Sequence, residues 1–161
     1  MSSVPPALKT WAALHIIALC KAKTETEFNN AFDSFIAPEA KIITNGMSLT
    51  RDEYKIRFRG QEFDEAGAAV DFRGAVEVPN DNKGGVDLSY QTGMVGVFYT
   101  AIIRKKIRFR DAPVERHIVS SMNMFIEEDK RVETHGSDPT LDARRVVALN
   151  EVVRETEPTP I

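Results

Sequence analysis

Residues 86–127 read VDLSYQTGMVGVFYTAIIRKKIRFRDAPVERHIVSSMNMFIE. In the first half Val95, Val97, Tyr99 and Ile103 alternate with Met94, Phe98 and Ile102; in the second, Ile118, Met122, Met124 and Ile126 alternate with Val119 and Phe125. Successive side chains of a strand point to opposite faces. The stretch therefore predicts two long strands, over 86–109 and 114–127, turned by Asp111-Ala112-Pro113. Gly93 and Gly96 read as bulges or bends. Both faces of these strands are apolar, and a sheet apolar on both faces is covered on both.

Outward from this hairpin the same grammar holds for a while. Residues 68–79 alternate as a strand, 80–85 form a turn by composition, Glu128-Asp129-Lys130 is the next turn, and 131–135 is the last strand. Before Gly67 the period is helical. Pro5 and Pro6 suit the first turn of a helix, and Leu8, Trp11, His15 and Leu19 recur at its spacing. Thr24 with Glu27 is a capping-box pair that opens a second helix with the stripe Phe28, Ala31, Phe32 and Phe35, ended by Pro38. Residues 41–44 form a short β-branched strand, which Asn45-Gly46 turns. Thr50 and Glu53 repeat the capping box before a third helix carrying Tyr54 and Phe58 one turn apart; Gly60 weakens that helix and Gly67 marks its far limit. Three helices followed by a sheet make an α+β protein. Residues 141–153 fit either element. Leu141, Ala148, Leu149 and Val152 would face the protein from a helix, the preferred reading, whereas the β-branched Val146, Val147, Val152 and Val153 equally allow a strand. One domain over 1–155 with a flexible tail over 156–161 follows.

With 161 residues the chain can bury a core of its own, and 42% hydrophobic with 28% charged residues is ordinary for a globular protein. A net charge of −3 argues against a dedicated nucleic-acid binder. Cys20 is the only cysteine, so no internal disulfide forms, and a reducing compartment is expected: the cytoplasm, with the nucleus also compatible. The apolar run from Trp11 to Cys20 is too short, and with His15 too polar, to span a bilayer. Pro5, Pro6 and Lys9 make a weak leading region for a signal peptide and no good small-residue cleavage site follows, so a core helix is expected. No cofactor is expected.

The run Phe32-Asp33-Ser34-Phe35-Ile36-Ala37-Pro38-Glu39-Ala40 into Lys41–Thr44, then Asn45-Gly46 and Leu49-Thr50-Arg51-Asp52-Glu53-Tyr54, resembles the nuclear-transport-factor-2-like superfamily. Its cone fold is shared with ketosteroid isomerase and the SnoaL-like polyketide cyclases. The resemblance covers about residues 5 to 136. It implies a cone-shaped half-barrel, with three N-terminal helices packed in a curved antiparallel sheet. In the isomerase-like enzymes a carboxylate near the end of the first strand acts as base and a second acid sits on a late strand. The matching places here hold Thr44-Asn45 and Met122-Asn123-Met124, which offer no ionisable group for such chemistry. The expected function is thus binding, of a small apolar ligand or a protein partner, through a mostly apolar pocket. The alternative is a small-molecule isomerase, cyclase or dehydratase using His15, Tyr54, Tyr99 or His117 as acid–base groups.

A pocket between helices and sheet would be lined by Trp11, His15, Phe32, Tyr54, Phe58, Tyr99 and His117. Plain core packing accounts for the aromatic residues equally well. His117 shares a strand face with Ser121 and Asn123, and alternation does not say whether that face is concave. The three histidines lie on separate elements, so no metal site is expected. Arg104, Lys106, Arg108 and Arg110 alternate as a charge-guarded strand end, with anion binding or nuclear localisation as the rarer meaning. The uncovered apolar face of the sheet predicts a homodimer through that face. Its rival is a C-terminal segment, 141–153, folded back over it.

Overall fold

The computed structural model describes residues 6–60, 65–80, 91–129, 131 and 142–156; within these, the side chains of 65, 66, 107–109, 112 and 113 are left aside. The elements are α1 (Leu8–Lys21), α2 (Glu25–Phe35), β1 (Ile36–Thr44), β2 (Met47–Leu49), α3 (Arg51–Arg59), β3 (Glu65–Pro79), β4 (Gly93–Phe109), β5 (Ala112–Glu128) and β6 (Arg144–Thr156). They form the cone expected from the resemblance, with three helices against one curved, unclosed sheet in the order β2-β1-β6-β5-β4-β3.

Local chemistry sets the helix ends. Thr50 and Glu53 make a complete capping box, each side chain bonding the other's backbone N–H. At Thr24 only half forms: the hydroxyl accepts from Glu27 N–H, while Glu27 turns to Lys23 N–H instead. α1 starts after Ala7 without a side-chain cap. α2 stops at Phe35, three residues before Pro38, where β1 begins. Gly60, at φ +79°, ends α3. Gly67 instead lies inside β3. Gly93 opens β4 at φ +144°, where a Cβ would stand 2.3 Å from the carbonyl oxygen of Val78, so only glycine fits. Gly96 is no bulge: it pairs in unbroken register with Val76 and Asn123. Among the described strands the register shifts between Ile36 and Lys41, Glu65 and Gly67, Phe72 and Gly74, Arg104 and Arg108, and Phe125 and Ile126.

The largest departure from expectation is at the C-terminus. Residues 144–156 form a strand, not a helix, inserted between β1 and β5. β6 runs antiparallel to β5 and parallel to β1, so the sheet contains one parallel pair. The segment extends the sheet and does not lie over its outer face. The last strand expected over 131–135 falls, beyond Arg131, outside the described residues.

Inside the cone, Leu8, Trp11, Ile16, Leu19, Phe28, Phe32 and Phe35 of the helices are buried against Val95, Val97, Tyr99, Ile103, Met122, Met124, Ile126, Val146 and Leu149 of the sheet. The opposite face carries Val76, Val78, Met94, Phe98, Val119, Phe125 and Val152, each 42 to 67% exposed. Among the described helices none is long and apolar enough to cross a membrane.

Candidate functional site

β6 brings a carboxylate into the cone. In register, Glu151 stands between Thr44 of β1 and Met122 of β5. Those are the two places where the sequence offers no acid, and the strand that fills the gap between them supplies one. Glu151 is buried. Its Oε1 accepts from the Tyr54 hydroxyl at 3.1 Å, and its Oε2 from the Ser120 hydroxyl at 2.6 Å. Among the described residues no Lys or Arg forms an ion pair with it. Burial pushes its carboxyl above the ordinary value, and the bonds from Ser120 and Tyr54 and the nearby Arg57 draw it back in part.

Around this carboxylate lies a cavity of about 30 Å³, lined by Tyr54, Arg57, Phe58, Tyr99, Arg116, Ile118, Glu151, Val153 and Glu155. One water needs roughly 10–15 Å³ of such space, and drug-sized ligands occupy roughly 300–1,000 Å³. The cavity thus takes one or two small occupants. Four of its nine lining residues carry charge, so its wall is mixed. Among the described residues the buried hydroxyl of Tyr99 in this wall has no hydrogen-bond partner, and neither has that of Thr44 nearby on β1. Burial pushes both the Tyr99 and Tyr54 hydroxyls well above the usual tyrosine range. Ser120 draws Tyr99 slightly the other way, yet the two hydroxyls do not reach bonding geometry.

Arg116, buried on β5, ties the far end of α3 to this site. Its guanidinium pairs with Glu155 and donates to the carbonyls of Phe58 at 3.3 Å and Arg59 at 3.2 Å. At the near end Arg51 donates to Asp33 at 2.8 Å and to the Ile36 and Ala37 carbonyls. The helix carrying Tyr54 and Phe58 is thereby held by arginine at both ends.

The residues singled out in the sequence divide into three places. Tyr54, Phe58 and Tyr99 line the cavity. Phe32 packs between, its ring 6.2 Å from that of Tyr54. Trp11 and His15 lie at a different end, in a cluster where His15 stacks on Phe35 at 5.3 Å and meets the indole at 4.4 Å. There Arg144, with no exposed surface, sits over Trp11 and grips Asp142 at 2.7 Å and the carbonyls of Pro6 and Gln91. Burial pushes the His15 imidazole down to about 4; Asp142 opposes that and Arg145 and Arg144 add to it. His117 is on the outer face, where its ring nitrogen lies 2.8 Å from Glu115. Among the described residues no three His, Cys, Asp or Glu converge as metal ligands. An open groove of about 270 Å³ between α1 and the sheet is lined by Lys9, Thr10, Ala13, Leu14, Phe72, Ala75 and Val97. In the basic run, Arg104 is exposed and pairs with Glu115; the side chain of Arg108 is outside the description.

Sequence reading missed Glu151, Ser120 and Arg116. The signal was present: on strand spacing Leu149, Glu151 and Val153 share a face, and an acid between two aliphatics marks a buried polar group. The helical reading of 141–153 hid it.

No family model matches this sequence, and no curated protein matches it. Among solved structures the chain is similar to Candida albicans Mtr2, at 9% identity and TM-score 0.49, covering 92% of this chain and 94% of that one. It is similar also to an NTF-2-like protein of unknown function from Pseudomonas aeruginosa, at 15% identity and TM-score 0.44, over 91% and 94%. A third similarity is to the C. albicans Mtr2-Mex67 M domain complex, at 10% identity and TM-score 0.46, over 97% and 99%. The roles of the residues above rest on their own geometry.

Proposed function

We propose that this chain is a protein-binding module that docks through the outer face of its sheet, and that the occupant is a second copy of itself. The observation that carries this reading is the row of seven large apolar side chains on that face, with no described helix packed over them. β6 contributes Val152 to the face and leaves it open. Contiguous exposed apolar area of this kind generally marks an interface. With strands ~4.8 Å apart and ~3.4 Å per residue, the face of β1 and β3–β6 spans on the order of 1,100 Å², enough for the ~800 Å² per partner of a standard interface.

Two features suit a second copy. Charge on the face is largely balanced within it, by Arg73 with Asp71 and by Arg104 with Glu115, so identical faces repel little. Large side chains alternate with small residues at Gly74, which has nothing within 4 Å of a Cβ position, and at Ala148, which gives Phe98 and Phe125 of one copy room between those of the other. A twofold contact is the closed arrangement for such patches. Sedimentation equilibrium at tens of micromolar should give twice the chain mass for the parent protein. Phe98→Glu with Val152→Glu should give the monomer mass with unchanged circular dichroism. A monomeric parent chain, or a dimer indifferent to these substitutions, overturns the reading.

A small-molecule acid–base enzyme is the second reading, and the Glu151–Tyr54–Ser120 group is the observation in its favour. The size of the cavity weighs against it, because a substrate of ordinary size enters only if α3 moves.

A further inference from the structure

We infer that the cavity beside Glu151 is a binding site for a small organic cation, taking the primary ammonium head of an alkylamine. This concerns the concave face and is independent of the docking surface on the other side.

Every other charge near the cavity has somewhere to go. Arg116 is committed to Glu155 and to the end of α3. Arg57 is exposed at the rim and reaches water. Among the described residues Glu151 alone of these is buried without an ion pair, bonded to two neutral hydroxyls, with Arg57 near it at the exposed rim. A buried carboxylate lacking a cation is costly, and a cation in the adjacent space would remove that cost. The space fits one: about 30 Å³ accommodates an ammonium nitrogen and its first carbon. The wall also presents an unused acceptor, since Tyr99 Oη is buried, unpartnered and part of the lining. An ammonium has three donors, so it can reach the free lone pairs of Glu151 and the oxygen of Tyr99 together. Tyr54, Phe58 and Tyr99 add three aromatic rings to the same wall, the surroundings that favour a cation over a neutral isostere. The alkyl stem would leave past the rim residues Arg57 and Glu155, along Ile118 and Val153.

Binding should be linked to pH. The groups facing Glu151 are Tyr54 and Arg57 from α3, Tyr99 from β4, Ser120 and Arg116 from β5, Glu155 on its own strand, Thr44 from β1, and Cys20 of α1 against the two tyrosines. Burial holds the Glu151 carboxyl above its ordinary value, and an amine binds its ionised form. Apparent affinity should therefore climb as pH rises through the raised value and then level off.

The test is a titration of the full chain with methylammonium chloride and with propylammonium chloride, followed by amide NMR shifts. Sodium chloride serves as ionic-strength control and acetamide as the neutral isostere. Saturable shifts at Tyr54, Tyr99 and Glu151 in the millimolar range are expected for the two amines and none for acetamide. Glu151→Gln should weaken the amines by about tenfold or more, as a lost charge-assisted bond does. If Glu151→Gln fails to fold, Tyr99→Phe carries the decision: it keeps the carboxylate, removes one acceptor, and should weaken binding about threefold or more. No saturable shift in the parent protein would mean that the cavity holds water only. Equal response to acetamide, or undiminished amine binding in either folded variant, would also overturn the inference.

Discussion

Among the described residues the cone buries three charged side chains, Arg144, Arg116 and Glu151, and the first and the last, at opposite ends, are treated in opposite ways. Arg144 finds a counter-charge two residues back in Asp142, two backbone carbonyls and the face of Trp11. Its charge is matched on the spot, and the cluster ties the start of α1, the approach to β4 and the start of β6 together. Glu151 has hydroxyls but no cation, and beside it are a cavity and two unpartnered hydroxyls. A saturated buried charge is a structural clamp; an unsaturated one beside empty space is where a ligand has a place to bind.

Breaking the clamp should cost most. Arg144→Met leaves the Asp142 carboxylate and the Pro6 and Gln91 carbonyls without the guanidinium that bonds them, and stability should fall by about 3 kcal/mol or more, read as a lower urea midpoint at unchanged slope. A loss below 1 kcal/mol would erase the contrast between the two ends.

The ends should also answer to pH with opposite sign. His15 sits at about 4 in the fold against 6.5 unfolded, so between those values the unfolded chain binds more protons. Its contribution is complete above about 6.5 and is lost as pH falls towards about 4. Glu151 is raised above 4.5, so there the folded state binds more protons, and its contribution is complete below 4.5 and lost as pH rises through the raised value. His15→Phe should flatten the acid limb of stability against pH, and Glu151→Gln the alkaline limb. Urea midpoints from pH 4 to 8 would show it; either variant flattening the other's limb would break the assignment.

At pH 8 Glu151→Gln should change stability little or raise it by about 1 kcal/mol, because the amide keeps hydrogen bonding and removes the uncompensated charge. A clear loss would mean that the carboxylate is already compensated. The smallest effect is expected from Tyr54→Phe, which removes one bond to Glu151 and should cost about 1 kcal/mol or less. It should also move the alkaline limb to higher pH, since one of the donors that hold the carboxyl down is gone.

Much of this architecture was legible in local pattern. The change of period near Gly67, the complete capping box at Thr50 and the turn at Asn45-Gly46 are properties of neighbouring residues, and the structure keeps them. The strand over 144–156 was not legible in this way. Its apolar residues satisfy either period, and what decides between them is a vacancy between β1 and β5, whose partners lie over a hundred residues upstream in β1 or on the far side of residues 129–143 in β5. Asn45 shows the decision directly, since its side chain exchanges hydrogen bonds with the backbone of Val153.

By itself, then, the sequence determined the three helices, the long strands β3, β4 and β5 and which of their positions share a face, because periodicity is written in neighbours. Tertiary structure decided that β6 enters the sheet, that His117 faces outward while Tyr99 faces inward, and that Glu151 is buried between Thr44 and Met122. Each of those depends on pairing between distant strands, and a free energy shared across the sheet leaves no mark on any one stretch of chain.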